Sequence, residues 1–171
     1  AALDAENGRL VTEILRDLNA GKLDPALLDP ATGRSTWRTI VDVADKYYEP
    51  GKFSTFVGFE WTSSPENRNM HRVVMFRETA KLPELVMSAL DSDKPEALWA
   101  WMEGLRAKGW TLFAIPHNSN GSKTQMFEPV DNSGKPLDAA YANRRASMEP
   151  LIEMMQIKGN SEVVASLWPN D

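Results

Sequence analysis

Thr111-Leu112-Phe113-Ala114-Ile115-Pro116-His117-Asn118-Ser119-Asn120-Gly121 reads as a short apolar strand that runs into an imidazole and a polar loop containing glycine. An apolar run bounded by turn residues marks a fully buried strand, and a histidine at such a strand end is placed to ligate a metal or move a proton. His117 is one of two histidines in the chain. The other, His71, follows a second run of the same kind, Phe53-Ser54-Thr55-Phe56-Val57-Gly58-Phe59-Glu60-Trp61, in which Glu60 stands where a buried strand emerges. Three candidate ligands therefore sit at three element ends, as catalytic residues do on the rim of a strand barrel.

Outward from these runs, residues 62–69 are polar turn chemistry and residues 70–77 are again apolar and of strand type. A hairpin is the economical arrangement, and it brings Glu60 and His71 to one site. Lys94-Pro95-Glu96 opens a helix with Leu98, Trp101, Met102 and Leu105 facing inward, and Gly109 stops it before the strand at 110–116. Upstream, Ser35 or Thr36 caps a helix carrying Trp37, Ile40, Val41, Ala44 and Tyr48 that Pro50-Gly51 ends. Before it, Leu10, Val11, Ile14, Leu15 and Leu18 recur at helical spacing between residues 5 and 20. Residues 117–136 form an irregular segment long enough to be a lid or binding loop, followed by a short helix near 138–145 and the apolar run 151–157. Strands alternate with helices, which favours an α/β layer or barrel over a helical bundle.

At 171 residues the chain fits one domain with its own core, needing neither disulfide nor metal for reasons of size. The absence of cysteine excludes disulfides, thiolate zinc sites and cysteine nucleophiles, and leaves the compartment open between cytoplasm and periplasm. A net charge of -5 and a pI near 5.1 offer no basic stripe for a phosphate backbone, so nucleic acid is not the expected partner. No apolar run nears the roughly 20 residues that span a bilayer, and no basic-then-apolar segment opens the chain, so a soluble protein is expected.

A divalent metal takes imidazole nitrogen and carboxylate oxygen together, and a carboxylate can bridge two ions where an imidazole cannot. Glu60 is thus the candidate bridging ligand, with His71 and His117 as terminal ligands. The same residues also admit a purely structural account: His71 caps a turn, His117 fills a polar niche, and Glu60 pairs with Arg68 or Arg72. Arg72, Arg68, Asn118, Asn120, Ser119 and Ser122 are candidates for holding an anionic substrate, or else are solvated loop residues. Glu153 is either a buried acid at the same site or the partner of Lys158 or Arg144. The six tryptophans read as core rather than as a sugar platform, since Trp99 and Trp101 lie on different faces of one helix.

These residues resemble a known family. Phe59-Glu60-Trp61, Met70-His71-Arg72-Val73-Val74-Met75, Ala114-Ile115-Pro116-His117-Asn118 and Ile152-Glu153-Met154-Met155-Gln156 are similar to the central motifs of the PHP (polymerase and histidinol phosphatase) superfamily of metal-dependent phosphoesterases. More closely, Ala44-Asp45-Lys46-Tyr47-Tyr48-Glu49-Pro50-Gly51-Lys52-Phe53, with Phe59-Glu60-Trp61-Thr62-Ser63 and Ile115-Pro116-His117-Asn118-Ser119-Asn120, resembles a bacterial domain-of-unknown-function family within it, the thirty-six-oh-four family.

The resemblance implies a partial distorted (β/α) barrel of mostly parallel strands with a Glu60/His71 hairpin. It also implies divalent ions (Zn, Mn or Fe) at the strand ends, and hydrolysis of a small anionic substrate, a phosphoester or similar, by metal-activated water. Glu60 falls on the bridging carboxylate and His71 and His117 on two histidine ligands. Arg72 would serve as charge stabiliser, with Asn118 beside it in the catalytic set. The superfamily's opening His-x-His and closing Asp-x-His are absent. The chain is therefore expected to be an internal fragment of a larger barrel, to bind metal weakly, to be inactive alone and to self-associate through exposed strand edges. The competing expectation is a non-catalytic ligand-binding or interaction domain whose 117–136 loop recognises a ligand. A third is a metal-free hydrolase using Glu60 and Glu153 as acid and base.

Overall fold

The computed structural model of the protein describes residues 29–79, 82–131, 133–157 and 159–162, with positions 9, 13, 22 and 166. Apart from positions 9 and 13, which are helical, the helix expected between 5 and 20 lies outside the described residues. Helix α1 (Pro30–Tyr47) begins upstream of the expected Ser35 cap. The Asp29 carboxylate accepts the Ala31 N–H at 3.0 Å and Pro30 supplies the pre-set φ of a first-turn residue, a stronger start than Ser35 offers. Trp37 is its buried residue, and its indole N–H donates to the Pro83 carbonyl at 2.8 Å.

Strands β1 (Val57–Trp61), β2 (Arg72–Phe76) and β3 (Leu112–Pro116) form a sheet in that order, with helix α2 (Pro95–Arg106) between β2 and β3. Helix α3 (Ala139–Met148) follows, and β4 (Met155–Gln156) pairs with β5 (Gly159–Asn160) in a separate two-stranded sheet. The hairpin between β1 and β2 is present, but the expected barrel of mostly parallel strands is not. All the strand pairs are antiparallel, and among the described residues the molecule is a small α+β fold of a three-stranded and a two-stranded sheet with three helices and no closed barrel.

The reason lies in the segment between β2 and α2. A strand, helix, strand order gives parallel strands only when the helix itself carries the chain back across the sheet. Here the chain leaves β2 beside Thr111, where Arg77 N–H meets the Thr111 carbonyl at 3.0 Å, and crosses the molecule before α2 begins. It reaches the opposite end at Asp93, whose carbonyl accepts from the Ser63 hydroxyl at 2.7 Å. Helix α2 then makes the return, its Arg106 bonding the Leu112 carbonyl at 2.7 Å, and β3 enters antiparallel to β2.

Alternate residues of β2 and β3 (Arg72, Val74, Phe76; Leu112, Ala114, Pro116) are buried, as a period of two requires. Against them lie Leu98, Trp99, Met102 and Leu105 of α2 and Trp37 of α1. Each such side chain contributes about 1.5–3 kcal/mol through lost water contact. Trp37, Phe59, Phe76 and Trp101 meet edge to face or tilted, with centroids 5.9–6.5 Å apart. The tryptophans so placed are core, as their helical spacing predicts.

Candidate metal centre

The sheet places the ends of three elements side by side. Trp61 is opposite Arg72, and Arg72 is opposite Pro116, so the exit of β1, the entry of β2 and the exit of β3 share one edge. His117 N–H donates to the His71 carbonyl at 3.3 Å, which extends the ladder by one rung. Period-two alternation then sorts the side chains. Glu60 pairs across from Val73, two residues from His71, so Glu60, His71 and His117 project from one face while Arg72 projects from the other.

On that face Glu60 Oε1 lies 2.8 Å from His71 Nδ1 and 3.3 Å from His117 Nε2, and the two imidazole centroids are 5.6 Å apart. The Glu60 side chain is 44% exposed and that of His117 is 9% exposed, so the cluster has a buried floor and a solvent-facing carboxylate. His71 Nε2 stands 2.9 Å from the Ser64 hydroxyl. Neither Arg68 nor Arg72 pairs with Glu60: Arg68 contacts Glu66 at 3.1 Å and Arg72 contacts Glu149 at 3.0 Å.

Two loops that carry the histidines are tied together. Asn69 N–H donates to the Gly121 carbonyl at 3.0 Å and its side-chain amide to the Asn118 carbonyl at 3.2 Å. Gly121 permits this approach, because a β-carbon there would sit 3.2 Å from the Asn69 β-carbon. Asn118 adopts left-handed backbone angles (φ 54°, ψ 40°), a conformation asparagine tolerates better than most residues. Its N–H donates to Glu153 Oε2 at 3.2 Å, and the Gln156 amide donates to Glu153 Oε2 at 2.7 Å and to the Asn118 side-chain oxygen. Glu153 thus braces the turn after His117; of the partners the sequence offers, Arg144 pairs instead with Glu103 at 2.8 Å and Lys158 lies outside the described residues. Asn118 is buried in this network, and Ser122 is buried next to the short Ser119–Gly121 turn.

Arg72 occupies a different environment. Its guanidinium and the Glu149 carboxylate are each 1% exposed, and Glu149 also accepts from Trp99 Nε1 at 2.9 Å and from Arg145 at 3.1 Å. Burial holds the Arg72 pKa below the usual arginine range, opposed by the attraction and hydrogen bond of Glu149. The structure therefore brings Glu60, His71 and His117 together, sets Asn118 next to His117, and leaves Arg72 on the opposite side of the strand. The adjacency of His71 and Arg72 was the available signal, since neighbours in a strand face opposite ways. Ser64 and Glu149 carry no distinguishing mark in the sequence, and Gln156 is marked only as the end of the 152–156 motif.

The chemistry of the cluster suits a divalent cation. Two nitrogens and one carboxylate oxygen, one from each residue, lie within 4.8 Å of one another. Ligands about 2.1 Å from a tetrahedral ion stand roughly 3.4 Å apart, close to the spacings seen across Glu60. His117 Nδ1 is buried with no hydrogen-bond partner, so protein contacts alone leave this ring incompletely satisfied.

Comparison with known proteins adds one match. The family described as "Protein of unknown function (DUF3604)" matches residues 5–171. No curated protein and no solved structure matches the chain. Among the described residues no helix is long and apolar enough to cross a membrane.

Proposed function

This chain belongs to the DUF3604 family, and we propose that Glu60, His71 and His117 hold a divalent metal ion in a hydrolase of PHP type that acts on small anionic esters. The observation that carries the proposal is the convergence of one carboxylate and two imidazoles on one face of one sheet edge, with no guanidinium paired to Glu60 among the described residues. Zinc, manganese and iron all accept this donor set. A metal held there supplies a Lewis acid and water of lowered pKa, with a coordination position left open beyond three protein ligands. The chain's own residues do the rest: Glu60 contributes charge, the two rings fix direction, and the Asn69, Asn118 and Glu153 network keeps the loops in register.

The test is calorimetric titration of zinc and manganese into the chain, beside E60A and H117A, together with hydrolysis of a chromogenic phosphoester by each protein. The proposal predicts metal uptake that both substitutions abolish; with the superfamily's His-x-His and Asp-x-His absent, that uptake is weak and little or no turnover is expected from the chain alone. Uptake indifferent to both substitutions would contradict the metal site, and turnover that survives both would contradict a role for the ion in hydrolysis.

A second reading rests on a separate feature. The segment after His117 walls a cleft of about 260 Å³, lined by Gln125, Met126 and Glu128 with Arg72, Tyr141 and Arg145. A non-catalytic binding domain would use that cleft, and its ligand affinity would survive E60A and H117A.

A further inference from the structure

We propose that Ser64 is a positioning residue: it decides which ring nitrogen His71 offers to a cation. The inference rests on the metal reading above. It starts from the order of contacts along one ring, with Glu60 Oε1 at 2.8 Å from Nδ1 and Ser64 Oγ at 2.9 Å from Nε2. The ring thus bridges a carboxylate and a hydroxyl.

The fold holds Ser64 in that place. The neighbouring Ser63 hydroxyl is buried and donates to the Asp93 carbonyl at 2.7 Å, and the Ser63 carbonyl accepts the Met70 N–H at 3.0 Å. Residues 63 and 70 therefore close the loop, with Ser64 the first residue inside the closure and His71 the first outside it. Within the loop, the Ser64 carbonyl accepts the Asn67 N–H at 3.2 Å, and Glu66 and Asn67 take positive φ to complete the turn.

A carboxylate only accepts hydrogen bonds, whereas a hydroxyl donates or accepts. Without a cation, Ser64 donates to Nε2 when the ring proton is on Nδ1 and accepts from Nε2 when the proton is there; the 2.8 Å approach of Glu60 to Nδ1 lacks hydrogen-bond geometry and does not choose between the two. With a cation beside Glu60, Nδ1 must present its lone pair. The ring then carries its proton on Nε2, exchanged through water with no net gain or loss, and Ser64 Oγ turns to accept it. Serine serves both states; alanine serves neither. Partners of this kind fix the tautomer and orientation of a ligating histidine, and their loss costs about 10- to 100-fold in metal affinity.

Imidazole nitrogen NMR spectra of the chain, recorded through a zinc titration, test this directly beside S64A and S64T. The expected result is that His71 in the unmodified chain binds zinc through Nδ1 and carries its proton on Nε2 once zinc saturates. S64A should bind zinc about 10- to 100-fold more weakly with an unchanged metal-free melting temperature, and S64T should recover most of the loss. Zinc affinity equal in S64A and the unmodified chain, or zinc held through Nε2 of His71, would overturn the role of Ser64 and leave the metal site standing. An unmodified chain that takes up no zinc would overturn both.

Discussion

Two adjacent residues of one strand end, His71 and Arg72, belong to clusters built from the same types of group and made for opposite ends. On one face, Arg72 and Arg145 close on Glu149 with Trp99 completing the carboxylate, and the charges that matter are dry and paired. On the other, Glu60 meets two imidazoles and remains 44% exposed. A buried carboxylate saturated by guanidinium has nothing left to offer a ligand. A half-exposed carboxylate facing two imidazoles brings three metal-ligating atoms within 4.8 Å of one another. The contrast separates a buried ion pair from a candidate site, and strand alternation alone assigns each residue to its side.

The largest way to break the comparison is E149A. It leaves the buried Arg72 without its counter-charge, a loss of about 3–5 kcal/mol, which in a chain of this size lowers the melting temperature by roughly 6–20 °C. Calorimetric melting checks it, and a fall of only a degree or two would mean the Arg72 cluster is not structural. Next in size is the effect of zinc itself. At about a hundred times its dissociation constant it should add about 2.7 kcal/mol to the stability of the unmodified chain and nothing to that of E60A or H117A. Equal stabilisation of all three would place the ion elsewhere. The smallest effect is E60A without metal, expected within about 0.5 kcal/mol of the unmodified chain because Glu60 is partly solvated and ties no core element down. A large loss there would make Glu60 a structural residue like Glu149.

Much of this was legible along the chain. The turn chemistry of residues 62–69 announces the hairpin that carries Glu60 and His71, and Pro95 and Gly109 bracket the second helix closely. Asp138 caps the third helix by accepting the Tyr141 N–H at 2.8 Å, close to where the sequence places its start. The sheet's direction was not legible. Nothing in residues 77–94 states that they cross the molecule, and that crossing alone turns an expected parallel strand into an antiparallel one. The candidate edge survives this change, because β1 and β3 still leave the sheet at the end where β2 enters. Arg72 reads in sequence as a neighbour of the site, and only the alternation of the strand sends it away. Glu149 and Ser64 depend on contacts between segments distant in sequence or across a loop, and neither shows a periodic or motif signal.

The central claim is spatial, so the most direct measurement is anomalous diffraction from crystals of the chain grown with zinc or manganese. The account predicts an anomalous peak about 2.0–2.2 Å from a carboxylate oxygen of Glu60 and from one ring nitrogen each of His71 and His117. A fully occupied peak elsewhere, or these three side chains directed apart with no density between them, would contradict it.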